Sequence, residues 1–415
     1  MSGTPGAGSY RALFRRPEGL IVARTFALAA VGRGGYAMLP LLLLFTVNQA
    51  TDDFGTAALT LSLCGLATLS MPLKSRLVDR HGQRRVLIPL ALALLPLLLG
   101  AAALGARDLT SRPAWLVLGV VVGLAAPPLG PAMRAQWRVF TPHELPVAYS
   151  LDAVTEEVLW LLGPLVAGAV LALGPAWWGL ATVPVLILVG ALGLGASPAQ
   201  AAPPGISAGT APDGAGPGPL RSRRLWPVLA LMGGTGLAAS MAVTGVAARA
   251  AAAGSPAFAA AGEGVLAAGA VAGGLAWGRW QRNWPWALSA GALLVPWAGL
   301  LAASAFVGLD VVFLTLFLLL GAVGSPLWVI AYLAADEAVA EHQRTEASTW
   351  VTTAANLGSS AGTAAAGALA AGVAVTTPAI VGALVGLAVA LTAYLIWWRG
   401  RTTLGRRRNV TTLDR

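Results

Sequence analysis

The sequence predicts an all-α polytopic membrane protein, with twelve transmembrane helices in two pseudo-symmetric six-helix halves. Three observations predict it. The 415 residues are 57% apolar and 11% charged, with a mean hydropathy of +0.73, whereas soluble domains carry about a quarter charged residues. Apolar runs of about twenty residues, long enough at 1.5 Å rise to cross the hydrocarbon, recur along the chain. The basic residues also segregate into alternate connections.

In chain order the spans are expected at 19–47, 54–75, 86–106, 114–138, 147–171 and 175–195, then at 226–248, 255–278, 286–307, 310–334, 347–371 and 375–397. The start, Met1 to Gly19, is short and basic and lacks the h-region and cleavage site of a secretory signal, so the first helix is expected to stay. Residues 198–223, rich in Ala, Pro, Gly and Ser, read as a flexible linker between an N-terminal half (15–197) and a C-terminal half (224–400). A basic tail follows at 401–415.

With twelve spans both ends lie on one side of the membrane. That side carries Arg11, Arg15, Arg16 and Arg24, then Lys74, Arg76, Arg80, Arg84 and Arg85, then Arg134 and Arg138. It continues with Arg221, Arg223, Arg224, Arg279, Arg282 and Arg344, and ends on the arginines of the tail. The opposite side holds only Arg107, Arg112 and Arg249, so the basic side is cytoplasmic in the inner cell membrane. The loops are too short for a nucleic-acid-binding domain, and the formal charge of +10 fits attraction to anionic lipid headgroups. Cys64 is the single cysteine, and His81, His143 and His342 are far apart, so neither a disulfide nor a metal site is expected. A phosphate-binding Gly-rich loop is absent, which argues against ATP hydrolysis; no cofactor and no enzymatic activity are expected.

An offset of 199 residues brings Arg80 onto Arg279, Pro127 onto Pro326, Ala148 onto Ala347, Gly163 onto Gly362 and Gly168 onto Gly367. The matches fall at equivalent places in two sets of six spans, so the fourth and tenth helices are expected to carry a Pro break, and the fifth and eleventh a small-residue face. Small faces let backbones approach closely. Two repeats about an axis along the membrane normal suit alternating access to a central site.

The connection after the second span reads Ser75-Arg76-Leu77-Val78-Asp79-Arg80-His81-Gly82-Gln83-Arg84-Arg85. With Asp79, Arg80, Gly82, Arg84 and Arg85 in place, it resembles the loop motif of the major facilitator superfamily of secondary transporters; Ser75 stands where that motif has glycine. In the family this loop latches the cytoplasmic ends of the halves in one conformation. The resemblance implies a latch built on those residues, with Arg279 as its weaker counterpart because Gly278 replaces the acid. Gly163, Pro164 and Gly168 are similar to a shortened form of a fifth-helix motif of proton-coupled exporters. The resemblance covers residues 15–400 and allows a monomer, since one chain holds both halves. The Ala, Gly, Arg and Pro bias looks like that of a high-GC actinobacterial gene.

Four charges inside the apolar runs are the candidates for substrate binding or coupling. Arg33 lies mid-span between Gly32 and Gly34. Exposing arginine to lipid costs at least ~2.5–3.5 kcal/mol, so it is expected to face the bundle interior or a wet cavity. Glu156 shares a helix face with Asp152, four residues earlier, while Glu157 points about 100° away. A carboxyl in a dry setting is suited to loading and releasing a proton. One of the two is expected to couple transport to the proton gradient, with the other paired to Arg33, Arg134 or Arg138. Glu263 is the only ionisable residue in its Ala-rich span. Trp160, midway along the fifth span, is a candidate to stack on a substrate.

These observations lead to the expectation of a secondary active transporter that exports a small organic compound by proton antiport. Proton-coupled uptake of a sugar or organic acid, with Arg33 as its anchor, is the alternative within transport. A scaffold or receptor that transports nothing is the alternative outside it, and the chain offers no soluble domain for that role.

Overall fold

Inside a bilayer no water satisfies the backbone, so N–H and C=O groups must pair within each segment, and helices result. The computed structural model describes residues 10–14, 19–107, 111–198, 218–252, 256–280, 284–308, 311–372, 380–392 and 395, and all regular structure among them is helical. In order these are α1 (Gly19–Thr51), α2 (Phe54–Ala67), α3 (Met71–His81), α4 (Gln83–Gly105), α5 (Arg112–Ala125), α6 (Leu129–Phe140), α7 (Leu145–Leu173) and α8 (Ala176–Gly195). There follow α9 (Trp226–Ala252), α10 (Pro256–Arg279), α11 (Trp286–Ser304), α12 (Val311–Ala338), α13 (Arg344–Gly372) and α14 (Ile380–Thr392). Most of the expected linker and the whole tail lie outside the described residues.

Among the described residues, nine helical stretches are long and apolar enough to cross a membrane, so the chain is a multi-pass membrane protein. One of the nine joins α2 and α3 through the short 3-10 turn Thr68–Ser70, and another is α5 with α6. α10, α13 and the shorter α14 lie where the eighth, eleventh and twelfth spans are expected, without meeting that measure. α13 is polar at its start, with Arg344, Glu346 and a run of Ser and Thr. Leu165 and Leu173 of α7 and Val117 of α5 are exposed, as suits helices bordered by lipid rather than water.

Of the two expected Pro breaks, only the one at Pro127 appears. Pro127 and Pro128 lack the N–H groups that would bond to the carbonyls of Gly123 and Leu124, so α5 stops at Ala125 and α6 begins at Leu129. Ala126 is extended (φ −60°, ψ 120°), as a residue before proline prefers. A single proline frees only one carbonyl, and α12 runs unbroken through Pro326.

The described chain falls into two compact units, the first from 9–219 and 340–349, the second from 220–339 and from 350 onward. In the first, α1 packs along α8 where Gly32 faces Gly190, and α7 reaches α1 where Gly163 faces the backbone of Ala37. α2 and α5 meet where Gly119 and Gly123 face the carbonyls of Thr60 and Cys64. In the second unit, α9 and α13 meet through Gly358, facing Gly233, and Gly362, facing Leu237. α10 and α12 touch through Gly269, Gly273 and Gly321. Leu294, Trp297, Leu301, Leu320 and Leu327 fill the core of that unit.

Outside the spans, Asp53 caps α2. It accepts from the Thr56 hydroxyl at 2.6 Å and the Gly55 N–H at 2.8 Å, which hold its carboxyl below the usual carboxylate range. Gly82, between α3 and α4, has φ 83° and ψ 156°, a region essentially reserved for glycine.

Candidate functional site

The first unit carries a buried charge cluster. Arg33, on α1, is 5% exposed and donates to Asp152 of α7 at 2.6 Å and to Glu156 one turn further on. Arg134, on α6, reaches the other oxygen of Asp152 at 3.3 Å. Two guanidiniums thus meet two carboxylates, a balanced set that a low-dielectric interior tolerates only when each charge is partnered. Asp152 is 2% exposed, whereas the Glu156 side chain is 45% exposed, so the cluster has one open edge. The Trp160 indole hydrogen-bonds Glu156 from the next turn. Within the buried guanidinium of Arg33, Nε has no hydrogen-bond partner among the described residues.

The sequence leaves open which of Glu156 and Glu157 pairs with Arg33, Arg134 or Arg138; in the structure it is Glu156, with Arg33. Asp152, noted in the sequence only as a face-mate of Glu156, is the hub. Arg134 is not a cytoplasmic loop charge as its flanking residues suggest, but a buried member of the cluster. Gly32 admits α8 rather than a ligand, while Gly34 meets only the Leu159 side chain. Glu157 is half-buried, with no cation within ion-pair distance among the described residues. Trp160 lies midway along α7 and is 56% exposed. Glu263 is exposed on α10 in the second unit and takes no part in the cluster.

The loop motif is assembled around the first turn of α13. Asp79 pairs with a helix N-terminus rather than with a neighbouring arginine: its Oδ2 accepts the Glu346 N–H at 2.9 Å. Thr345 adds a side-chain hydrogen bond to Asp79 and accepts from Arg138 at 3.0 Å; Arg138 also reaches the Tyr149 hydroxyl at 3.2 Å. Arg76 lies 3.8 Å from the Glu346 carboxylate. Ser75 is buried with its hydroxyl 2.7 Å from that of Thr349, so the residue replacing the motif's glycine adds a contact instead of loosening one. Arg80, Arg84, Arg85 and Arg279 are exposed.

Two polar arrangements escape sequence reasoning. Lys74, assigned to the basic loop, is 6% exposed and points to the break between α5 and α6. It donates to the carbonyls of Gly123 (3.2 Å), Leu124 (3.2 Å) and Ala126 (2.7 Å). Tyr36, one turn beyond Arg33, donates to the Pro127 carbonyl at 2.8 Å. Nearer the α3–α4 turn, Gln83, Gln136 and Ser197 form a buried ladder: Ser197 donates to Gln136 (2.9 Å), Gln136 to Gln83 (2.8 Å), and Gln83 to the Ala132 carbonyl (2.9 Å). The Pro-Pro pair was the available signal for the first of these.

Of the packing residues, Gly163 and Gly362 both sit at close helix contacts, while Gly168 faces open space. Pro164 lies within α7 and Gly367 within α13. Among the described residues no group of His, Cys, Asp or Glu could hold a metal ion.

No curated protein matches the sequence. Among solved structures the fold is similar to the human organic anion transporter MFSD10, with a TM-score of 0.66 and 15% identity, covering 91% of this chain and 100% of that one. It is similar to the Escherichia coli fucose:proton symporter (TM-score 0.63, 17% identity, 91% and 97% covered). A bacterial homologue of the iron transporter ferroportin gives a TM-score of 0.65 at 14% identity, with 92% and 99% covered. At such identities the likeness shows the fold. The family model of the Major Facilitator Superfamily matches residues 25–318, and with the helical fold and the loop motif already described, the chain belongs to that superfamily of membrane transporters.

Proposed function

We propose that the protein is a proton-coupled exporter of a small organic compound, working by alternating access between two six-span halves, as a monomer with both termini in the cytoplasm. The observation that carries the reading is the contrast between neighbouring acids: Glu156 is matched to Arg33, and among the described residues Glu157 has no cation within ion-pair distance. A fixed unpaired charge is costly in a membrane segment. Glu157 is therefore the acid that takes up and gives back a proton, while the Arg33–Asp152–Glu156–Arg134 set stays balanced. Trp160, exposed three residues on, offers an aromatic face to a cationic or flat substrate. The paired contacts of Gly163 in the fifth span and Gly362 in the eleventh support the two-halves arrangement.

A second reading, uptake of an organic acid with a proton, is favoured by the Arg33 guanidinium held behind Glu156, the open edge of the cluster. Protonating Glu156 would there release Arg33 to an anion. The two readings separate in proteoliposomes loaded with a pH dye and offered cationic, neutral and anionic compounds. Export by antiport predicts that Glu157→Gln abolishes substrate-driven proton movement while labelled-substrate exchange persists. Loss in Glu156→Gln alone, with anions as the active compounds, establishes the second reading. Proton movement surviving in both, but lost in Glu263→Gln, moves the coupling to the second half.

A further inference from the structure

The Lys74 ammonium has an unusual set of partners for a buried lysine. It is 6% exposed, and among the described residues no carboxylate lies within ion-pair distance. Its partners are three main-chain carbonyls, of Gly123, Leu124 and Ala126, at 3.2, 3.2 and 2.7 Å. Two of these are the carbonyls that Pro127 and Pro128 deprive of a helical N–H partner. The third belongs to the residue turned out of the helix at the break. They gather at the C-terminal end of α5, where the helix dipole presents partial negative charge. Unwound carbonyls at the end of an interrupted membrane helix are a recurring way to bind a monovalent cation. An ammonium, with three N–H groups and one positive charge, meets the same requirements.

We propose that the break in the fourth span is a monovalent-cation site whose occupant is tethered to the chain. Lys74 delivers the charge from α3, so the site needs no free ion and cannot lose its occupant to dilution. The position is enclosed: Gly123 packs against the Cys64 carbonyl, so α2 closes one side, and Tyr36 takes the neighbouring Pro127 carbonyl from α1. The occupant is then a positioning group. It fixes the break, and through α3 it sets the height of Ser75 and Asp79, one and five residues further along. This stands apart from which acid carries the proton.

The test uses the full chain in nanodiscs. Lys74→Ala removes the tether and leaves its volume open; Lys74→Met removes the charge and fills the volume. Thermal unfolding is followed in N-methylglucamine, sodium, potassium and methylammonium chlorides at one ionic strength. The expected result is that both variants melt lower than the parent. Lys74→Ala alone should regain stability, saturably, with methylammonium or an alkali ion, while the parent is indifferent to all four. Selective rescue by methylammonium marks a site shaped for N–H donors; rescue by sodium or potassium marks a general monovalent-cation site, and either supports the proposal. Equal insensitivity of Lys74→Ala and Lys74→Met to every cation overturns it. If Lys74→Ala yields folded protein only when prepared with methylammonium or an alkali salt, the proposal stands; failure to fold with all of them counts against it.

Discussion

Asp152 bonds two arginines at once, Arg33 at 2.6 Å and Arg134 at 3.3 Å, and this double duty makes it the most sensitive side chain in the first unit. Truncating one partner of a buried ion pair strands the other charge, which typically costs ~3–5 kcal/mol. Asp152→Ala should therefore lower the melting temperature sharply. Asp152→Asn, which keeps an acceptor, should lower it less; equal loss in both would mean that volume, not charge, is at stake. Gly82 presents a different constraint. Its φ of 83° and ψ of 156° admit almost no other residue, so Gly82→Ala should cost about 1–3 kcal/mol in unfolding measurements. At this scale the sequence was informative where a charge interrupts an apolar run, as with Arg33 and Glu156. It misled at Lys74 and Arg134, because their neighbours Arg76 and Arg138 made each look like part of a loop. Burial there comes from partners 18 and about 50 residues away, which no local window contains.

At the scale of elements, helix placement follows from apolar runs and prolines, but contacts follow from glycines. Periodicity gives α1 its length; it does not reveal that Gly32 belongs to α8 and Gly34 does not. The start of α13 is anchored from α3, by Asp79 at Glu346 and by Ser75 at Thr349. A hydrogen bond of this kind is worth about 1 kcal/mol net. Ser75→Gly, which restores the residue usual in the motif, should lose about that much, seen as faster hydrogen exchange across 345–349. Unchanged exchange would show that Thr349 is held by its other partner, the Thr345 carbonyl, alone.

At the scale of the molecule, the sequence suggests a 199-residue repeat, and Gly163 and Gly362, which that offset pairs, each sit at a close helix contact within their own unit. The repeat is inexact where chemistry differs: the first half holds the ion cluster, the tethered ammonium and the double proline, while α12 passes its single Pro326 without interruption. The basic loops predict the orientation. In a Cys64→Ser background, Ser207→Cys should react with a membrane-impermeant thiol reagent only from the cytoplasmic side, and Ser111→Cys only from outside. The reverse pattern would overturn the proposed topology.

The distances in sequence between these charges and their partners also order the making of the protein. Arg33 enters the membrane in the first span, yet its carboxylates arrive with the fifth; Lys74 enters in the second, and its carbonyls arrive with the fourth. On the ribosome, then, the nascent chain carries Arg33 without its carboxylates until more than a hundred further residues have followed, and Lys74 without its carbonyls for about fifty. A central arginine or lysine costs ~2.5–3.5 kcal/mol at insertion. The long apolar remainder of those spans has to outweigh that cost during synthesis, and the fifth span is the point at which Arg33 and Arg134 gain their carboxylate partners.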